Sequence, residues 1–321
     1  MQLETIYRFI KDDLKSVGDK ILEVSRAEQP QVADSMKYVL ETGGKRMRPA
    51  LALMAGQFYR YDREIHAYLA AAVELLHVGT LLHDDIMDKA ALRHGKPTPN
   101  AVWGGGKAVL IGDLVFANAA AQAARTRNLR FIELFAQTLM DMTAGEFQQS
   151  LNAFNAEQGR QEYYFRISHK TASLFATASE GAAILSQAPE ESIAALKDYG
   201  YYFGISFQII DDILDVIGDE RKMGKPVGSD LLSGVITLPS LLVVERAGNN
   251  QALAEVFAHK GNPEVFQQFL AKMQRHEIIK ECYSIATDFC HKAQQSLDTL
   301  PDKPARQALR DLADYILHRE N

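Results

Sequence analysis

Six aspartates occur as two copies of one spacing: Asp84, Asp85 and Asp88, then Asp211, Asp212 and Asp215. Each D-D-x-x-D set lies in an apolar run; Leu75, Leu76, Val78, Leu81 and Leu82 precede the first, and Ile86 and Met87 sit inside it. On a helix, Asp84 and Asp88 stack on one face while Asp85 points about 100° away. Like charges four apart repel by about 0.2–0.5 kcal/mol, a cost that a cation removes. One such cluster is ordinarily a solvated acidic face. Two on separate apolar helices are harder to bury unless something positive sits between them. All-oxygen ligation without His or Cys suits a hard divalent ion, Mg²⁺ before Zn²⁺. Magnesium shares its shell with phosphate oxygens, so the pattern points to a cleft that binds a polyphosphate through bridging metal.

Other candidates are weaker alone. Gly43-Gly44-Lys45-Arg46-Met47-Arg48-Pro49 places three cations beside two glycines, able to grip a phosphate or simply to complement a helix C-terminus. It is not a Walker loop, and neither is Gly104-Gly105-Gly106-Lys107. Arg93, His94 and Lys96 follow the first aspartates and suit either a surface salt bridge or an anion. Glu146, Gln148 and Gln149 end one apolar helix, and His169-Lys170-Thr171 opens another.

The elements that must position these groups read as helices. Ile6, Phe9, Ile10, Leu14, Val17, Ile21 and Leu22 recur at threes and fours, and no convincing period-two run appears. Ala-rich stretches at 67–78, 108–124 and 171–187 suit closely packed helices. Gly, Pro and Asn clusters mark the breaks, without a composition shift or repeat. The expectation is one all-α domain over residues 1–321. Apolar residues at 47%, charged residues at 24% and a net charge of −6 fit a globular chain and give no reason to expect nucleic acid. Cys282 and Cys290 lack metal-site or disulfide-framework spacing and read as buried, reduced thiols. The first residues lack a signal-peptide core, and no apolar run reaches roughly 18 residues, so a cytoplasmic protein without stable membrane insertion is expected.

Taken together, the chain resembles the trans-isoprenyl diphosphate synthase family. The resemblance runs from Gly43–Pro49 through His83–Asp88, Gly95–Thr98, Gly112-Asp113, Gly145-Glu146, Lys170-Thr171 and Gln208–Asp215 to Gly224-Lys225 and Gly228–Asp230. Class I terpene cyclases share the first motif but usually carry an Asn/Ser/Glu second site, whereas here D-D-x-x-D recurs. The resemblance implies a single large helical bundle of isoprenoid synthase type around a central cavity. It implies that Asp84, Asp88 and Asp211 hold about three Mg²⁺ ions against an allylic diphosphate, while Asp85, Asp212 and Asp215 support them. Lys45, Arg48 and His77 correspond to the isopentenyl diphosphate site, and Arg93, Lys170 and Lys225 to cationic contacts with the allylic diphosphate. Thr171 and Gln208 stand where the family stabilises a developing carbocation.

Two positions depart from the family pattern. Arg-Arg-Gly is Arg93-His94-Gly95 here, and Gly-Lys-x-Thr is Gly234-Val235-Ile236-Thr237. Each lost charge-assisted hydrogen bond weakens diphosphate binding by roughly 1.5–3 kcal/mol unless Lys96, Arg221 or Lys222 substitutes. Gly79, with Thr80 on the same helix, stands where short-chain members carry an aromatic ring, which implies a shaft open at that level and a product of about C30–C50. Phe131, Phe135 or Leu139 is expected as a deeper floor. The alternatives are a farnesyl or geranylgeranyl diphosphate synthase, a terpene cyclase, or a catalytically impaired diphosphate-binding partner subunit. Resemblance also implies a homodimer, with a heteromeric partner as the alternative.

Overall fold

The computed structural model describes residues 2–24, 30–40, 44–93, 95–219, 226–259 and 261–319. They are helical almost throughout, in the order α1 (Leu3–Ile6), α2 (Lys11–Glu23), α3 (Pro30–Leu40), α4 (Met47–Gly56), α5 (Arg63–Met87), α6 (Pro99–Trp103), α7 (Gly105–Arg125) and α8 (Leu129–Asn152). Then come α9 (Arg160–Ile167), a π-helical turn at Ser168–Ala172, α10 (Ser173–Leu185) and α11 (Glu190–Ile217), followed by helices from Ser229–Leu232 to Pro304–Leu317. The one sheet among the described residues is a two-residue antiparallel pair, Leu92–Arg93 with Lys96–Pro97. The all-α expectation holds.

The chain gathers into two compact units. The first comprises Met1–Leu139, Leu174–Gly200 and Gln294–Leu312; the second comprises Met140–Ser173, Tyr201–Ala293 and Ala313–Asn321.

The spine of the first unit is α5. Asp62 caps it by accepting from the backbone N–H groups of Glu64 and Ile65, both at 3.0 Å, which satisfies two of the orphan donors of its first turn. From Ala67 to Leu76 nearly every side chain except Tyr68 is buried, so this segment is wrapped by its neighbours rather than amphipathic. By length and composition α5 could cross a bilayer, but 67% of that apolar window is buried inside the protein. Its tightest neighbour is α7, where glycines admit rings from the facing helix. A Cβ on Gly79 would lie 2.7 Å from the Phe116 ring, and one on Gly112 would collide with His83. The two rings meet edge to face with centroids 5.1 Å apart, a favourable quadrupole geometry.

The second unit is built around the last half of α11. Ile205, Ile209, Ile210, Ile213 and Val216 are buried against Tyr163, Ile167, Leu238, Leu241, Phe269 and Cys282. The Ser206 hydroxyl ties α11 to the carbonyl of Ala286 at 2.8 Å. Cys282 and Cys290 are free, fully buried thiols, and burial pushes both up to about 12.

Gly200 in α11 separates two opposing expectations. In an exposed helix interior, Gly→Ala stabilises by about 1 kcal/mol through propensity. Here a Cβ would lie 2.8 Å from the Ala176 Cα and closer still to the Phe175 carbonyl and Ser179 hydroxyl. Backbone cannot yield as a flexible side chain can, and overpacking costs about 1–3 kcal/mol. Gly200→Ala is therefore expected to lower thermal stability; a raised melting temperature would contradict this packing.

Candidate active site

Both aspartate motifs stand at helix C-termini. The sequence pattern runs a helix through Asp88, but α5 ends at Met87 with Asp88 as its C-cap, and Lys89 follows with φ 51°. A left-handed residue there ends the helix. Asp211, Asp212 and Asp215 occupy the last two turns of α11. The carbonyl end of a helix carries roughly half a negative charge. Adding carboxylates there concentrates negative potential, so both ends are built to attract cations.

Within each motif the aspartates divide by burial. In the first, Asp85 is 3% exposed, Asp84 is half-buried and Asp88 is exposed. Asp85 Oδ1 accepts from Arg93 Nε at 2.9 Å and Nη2 at 2.8 Å. Its backbone carbonyl also accepts from the Ala90 N–H at 2.9 Å, binding the turn that follows the helix. Thus Arg93, expected to contact a diphosphate, is also the counter-charge of a buried aspartate.

In the second motif Asp212 is 1% and Asp215 2% exposed, whereas the Asp211 side chain is 41% exposed. Asp212 accepts from the Tyr163 hydroxyl at 2.7 Å and from Gln208 Nε2 at 2.9 Å. Gln208 Oε1 in turn accepts from the Thr171 hydroxyl at 2.7 Å. This chain fixes the Gln208 amide and joins Thr171 to Gln208. Asp215 accepts from the Ser229 hydroxyl at 2.7 Å and the Asp230 N–H at 3.3 Å. Its carbonyl accepts from the Gly228 N–H at 2.7 Å, so Asp215 anchors the segment around Gly228–Asp230. Asp211 is bonded to Arg319.

The π-helical turn explains how Lys170 and Thr171 are presented. A π-turn inserts one residue into a helix and recurs at functional sites. Here it lies against Gly145 of α8, where a Cβ would approach the Lys170 backbone nitrogen to 2.8 Å. The missing side chain lets α8 seat the turn, and Glu146, next along, forms a salt bridge with Lys170.

The expected isopentenyl diphosphate residues belong to the first unit. Lys45 is exposed, and its carbonyl accepts from the Tyr7 hydroxyl at 3.2 Å. Arg48 is half-buried, with its guanidinium 4.3 Å from the centre of the Phe175 ring. The middle cation of the cluster serves the fold, since Arg46 donates to the buried carboxylate of Glu74 at 2.8 Å. Burial, then the positive charges of Arg48, Arg93 and Arg46, holds His77 well below the ordinary imidazole range. A neutral imidazole near three guanidiniums is an environment suited to an anion. A separate cavity of about 180 Å³ is lined by Tyr7, Leu14, Val17, Lys45 and Arg46; none of the six aspartates lines it.

The structure changes one expectation. Gly79 does not leave its level open, because the Phe116 ring from α7 occupies the space beside it. Glycine is needed there to admit that ring. Thr80 donates to the His77 carbonyl at 2.8 Å, a helix-internal bond, and Phe135 is a buried core residue whose ring lies 6.2 Å from that of Phe131. Val235 is half-buried, and its N–H donates to the Asp230 carbonyl at 2.8 Å, so its backbone retains a role where the usual cation is missing. His94 and Lys225, with Arg221 and Lys222, lie outside the described residues.

Asp84, Asp88 and Asp211 remain accessible while Asp85, Asp212 and Asp215 are buried. Among the described residues no three Asp, Glu, His or Cys side chains converge into a complete metal cage. Each helix end taken by itself offers one or two accessible carboxylates, a donor chemistry that fits Mg²⁺, which takes one or two carboxylates and completes its shell with water and substrate phosphate. Tyr163, Arg166, Glu74 and Arg319 are not legible as site residues in the sequence. Their partners are distant along the chain, and no local spacing signals them. Arg166 binds the carbonyl of Ile236 at 2.8 Å, and its charge partly offsets the burial of Asp212.

Burial pushes the Asp212 carboxyl up to about 7, with Asp230 adding to the rise and Arg166 and the hydrogen bonds from Gln208 and Tyr163 opposing it. A carboxyl raised on folding holds its proton in the native state while the unfolded chain has lost it. Its contribution is full below the unfolded value near 3.8 and falls as pH rises to about 7. The slope is at most about 1.4 kcal/mol per pH unit. Asp212→Asn should flatten the decline in metal-free stability between pH 4 and 7, measured by urea unfolding. An unchanged slope would contradict the assigned burial.

Comparison with known proteins identifies the family. The polyprenyl synthetase family model matches residues 29–273. A heptaprenyl diphosphate synthase component 2 from Geobacillus stearothermophilus is 37% identical over 320 residues, covering all of both chains. A decaprenyl diphosphate synthase from Rhodobacter capsulatus has a TM-score of 0.93 at 34% identity, again covering 100% of both. A polyprenyl synthase from Caulobacter crescentus, complexed with calcium and isoprenyl diphosphate, has a TM-score of 0.94 at 30% identity and covers 100% of this chain and 98% of its own. Both D-D-x-x-D helix ends fall within the matched residues, and the chain is a prenyl-transferring enzyme that belongs to the polyprenyl synthetase family.

Proposed function

We propose that the protein is a Mg²⁺-dependent synthase that extends an allylic diphosphate, such as farnesyl diphosphate, with successive isopentenyl diphosphates to an all-trans polyprenyl diphosphate of about C30–C50. The observation that carries this reading is the division within both motifs: accessible Asp84, Asp88 and Asp211 beside buried, hydrogen-bonded Asp85, Asp212 and Asp215. Those three accessible carboxylates would hold the metal, which supplies charge neutralisation to the departing pyrophosphate. Lys170 and Arg93 add positive charge for the allylic diphosphate, exchanging or sharing their present carboxylate partners. Lys45, Arg48 and neutral His77 receive isopentenyl diphosphate, whose double bond attacks the allylic carbon held beside it. The Thr171 and Gln208 oxygens place partial negative charge where positive charge develops on the substrate. Loss of a proton to pyrophosphate completes each addition, and apolar walls exclude water that would quench the cation.

The long-chain reading is supported by relatives named as heptaprenyl and decaprenyl diphosphate synthases. It does not rest on an open level at Gly79. Two relatives carry the name heptaprenyl diphosphate synthase component 2, from Geobacillus stearothermophilus and Bacillus subtilis. That naming favours a second reading, in which the chain is one component of a heteromeric synthase rather than a self-sufficient homodimer.

Purified protein incubated with farnesyl diphosphate, labelled isopentenyl diphosphate and Mg²⁺ is expected to give products of C30–C50 on reversed-phase sizing. Products ending at C15–C20 would refute the chain length, and cyclised hydrocarbon would refute the reaction. Turnover only after a second protein is added would support the heteromeric reading.

A further inference from the structure

Arg319 lies just beyond the helix Pro304–Leu317, far in sequence from either aspartate motif, yet it is 8% exposed. Its Nη2 donates to the Phe207 carbonyl at 3.1 Å and to Asp211 Oδ1. The guanidinium carbon sits 4.0 Å from the centre of the Phe207 ring. Phe207 and Asp211 are four apart, so Arg319 closes over one face of the penultimate turns of α11. Its Nε is buried without a hydrogen-bond partner, and it holds this position despite that cost.

We propose that Arg319 is a positioning residue for the accessible aspartate of the second motif. Asp212 and Asp215 are oriented by donors from their own surroundings; Asp211 has Arg319 for that purpose. With Oδ1 engaged by the guanidinium, Oδ2 is the oxygen that would be left to a metal ion. The ring and carbonyl of Phe207 hold the cation even when Asp211 shares its charge, so the carboxylate is aimed in advance. Outer partners of metal-ligating carboxylates work this way, and their loss costs about 10–100-fold in metal affinity. A nearby cation also repels metal, which opposes the effect. Bound diphosphate offsets that repulsion with its own negative charge, so orientation dominates in the ternary state. This inference rests on the proposed metal and diphosphate reading.

The test is calorimetric titration of the full chain with Mn²⁺ in the presence of inorganic pyrophosphate, without turnover. Arg319→Gln should weaken Mn²⁺ binding about tenfold. Arg319→Lys, which keeps charge but not the planar fork, should recover only part of it. In an Asp211→Asn background, Arg319→Gln should have no further effect. If Arg319→Gln does not fold, Phe207→Leu, which removes the supporting ring, should give a smaller loss in the same direction. Unchanged or tighter Mn²⁺ binding in Arg319→Gln would overturn the proposal and make the guanidinium a competitor of the metal. An equal loss in the Asp211→Asn background would do the same. Wild-type protein that makes polyprenyl products yet shows either result sinks the positioning role alone, whereas wild-type protein binding no Mn²⁺ with pyrophosphate sinks both.

Discussion

Carboxylates gathered at the carbonyl ends of helices are the constraint on which both motifs depend. The helix end is already negative, and three aspartates in two turns add to it. Burying an ionised carboxylate costs several kcal/mol unless donors replace the water it loses. Asp85 meets that demand with Arg93, and Asp215 with Ser229 and the Asp230 N–H. Tyr163 and Gln208 only partly offset the burial of Asp212, which keeps its proton up to about pH 7. The donors are drawn from several elements. The buried aspartates therefore organise the turn after α5, the helix α9 and the segment after α11, while Asp84, Asp88 and Asp211 stay accessible.

The same logic governs the cationic side. Positive residues that the resemblance assigns to diphosphates are held by protein carboxylates: Arg93 by Asp85 and Lys170 by Glu146. Of the three cations in Lys45-Arg46-Met47-Arg48, Arg46 serves Glu74, and the resemblance assigns Lys45 and Arg48 to substrate. Such pairs keep cations in place before substrate arrives, and they make each substitution a test of both folding and binding. Glycine has a related use. Gly145 seats the π-turn that displays Lys170 and Thr171, and Gly79 admits Phe116.

Much of the site is legible in the sequence because its residues lie in short, repeated patterns. Two D-D-x-x-D sets on apolar helices need no tertiary information to suggest metal and diphosphate, and helical periodicity carries the fold class. What escapes are partners distant along the chain. Nothing near Tyr163 or Arg319 announces that they bind Asp212 and Asp211. Gly79 shows the opposite failure: a hydrogen side chain reads as open space, but a neighbouring helix can fill it, and here Phe116 does. The end of α5 is hidden for a similar reason, since Lys89 stops the helix through a backbone conformation that its side chain does not advertise.

On the proposed reading the six aspartates have two different jobs. That division is tested most directly by measuring melting temperature and kcat together for single Asp→Asn variants at each position. Changes at Asp84, Asp88 and Asp211 are expected to reduce kcat by orders of magnitude with little loss of melting temperature in metal-free protein. Changes at Asp85 and Asp215 should lower the melting temperature as well, because each leaves buried donors facing a poorer acceptor. Six variants with one common pattern of activity and stability would contradict it.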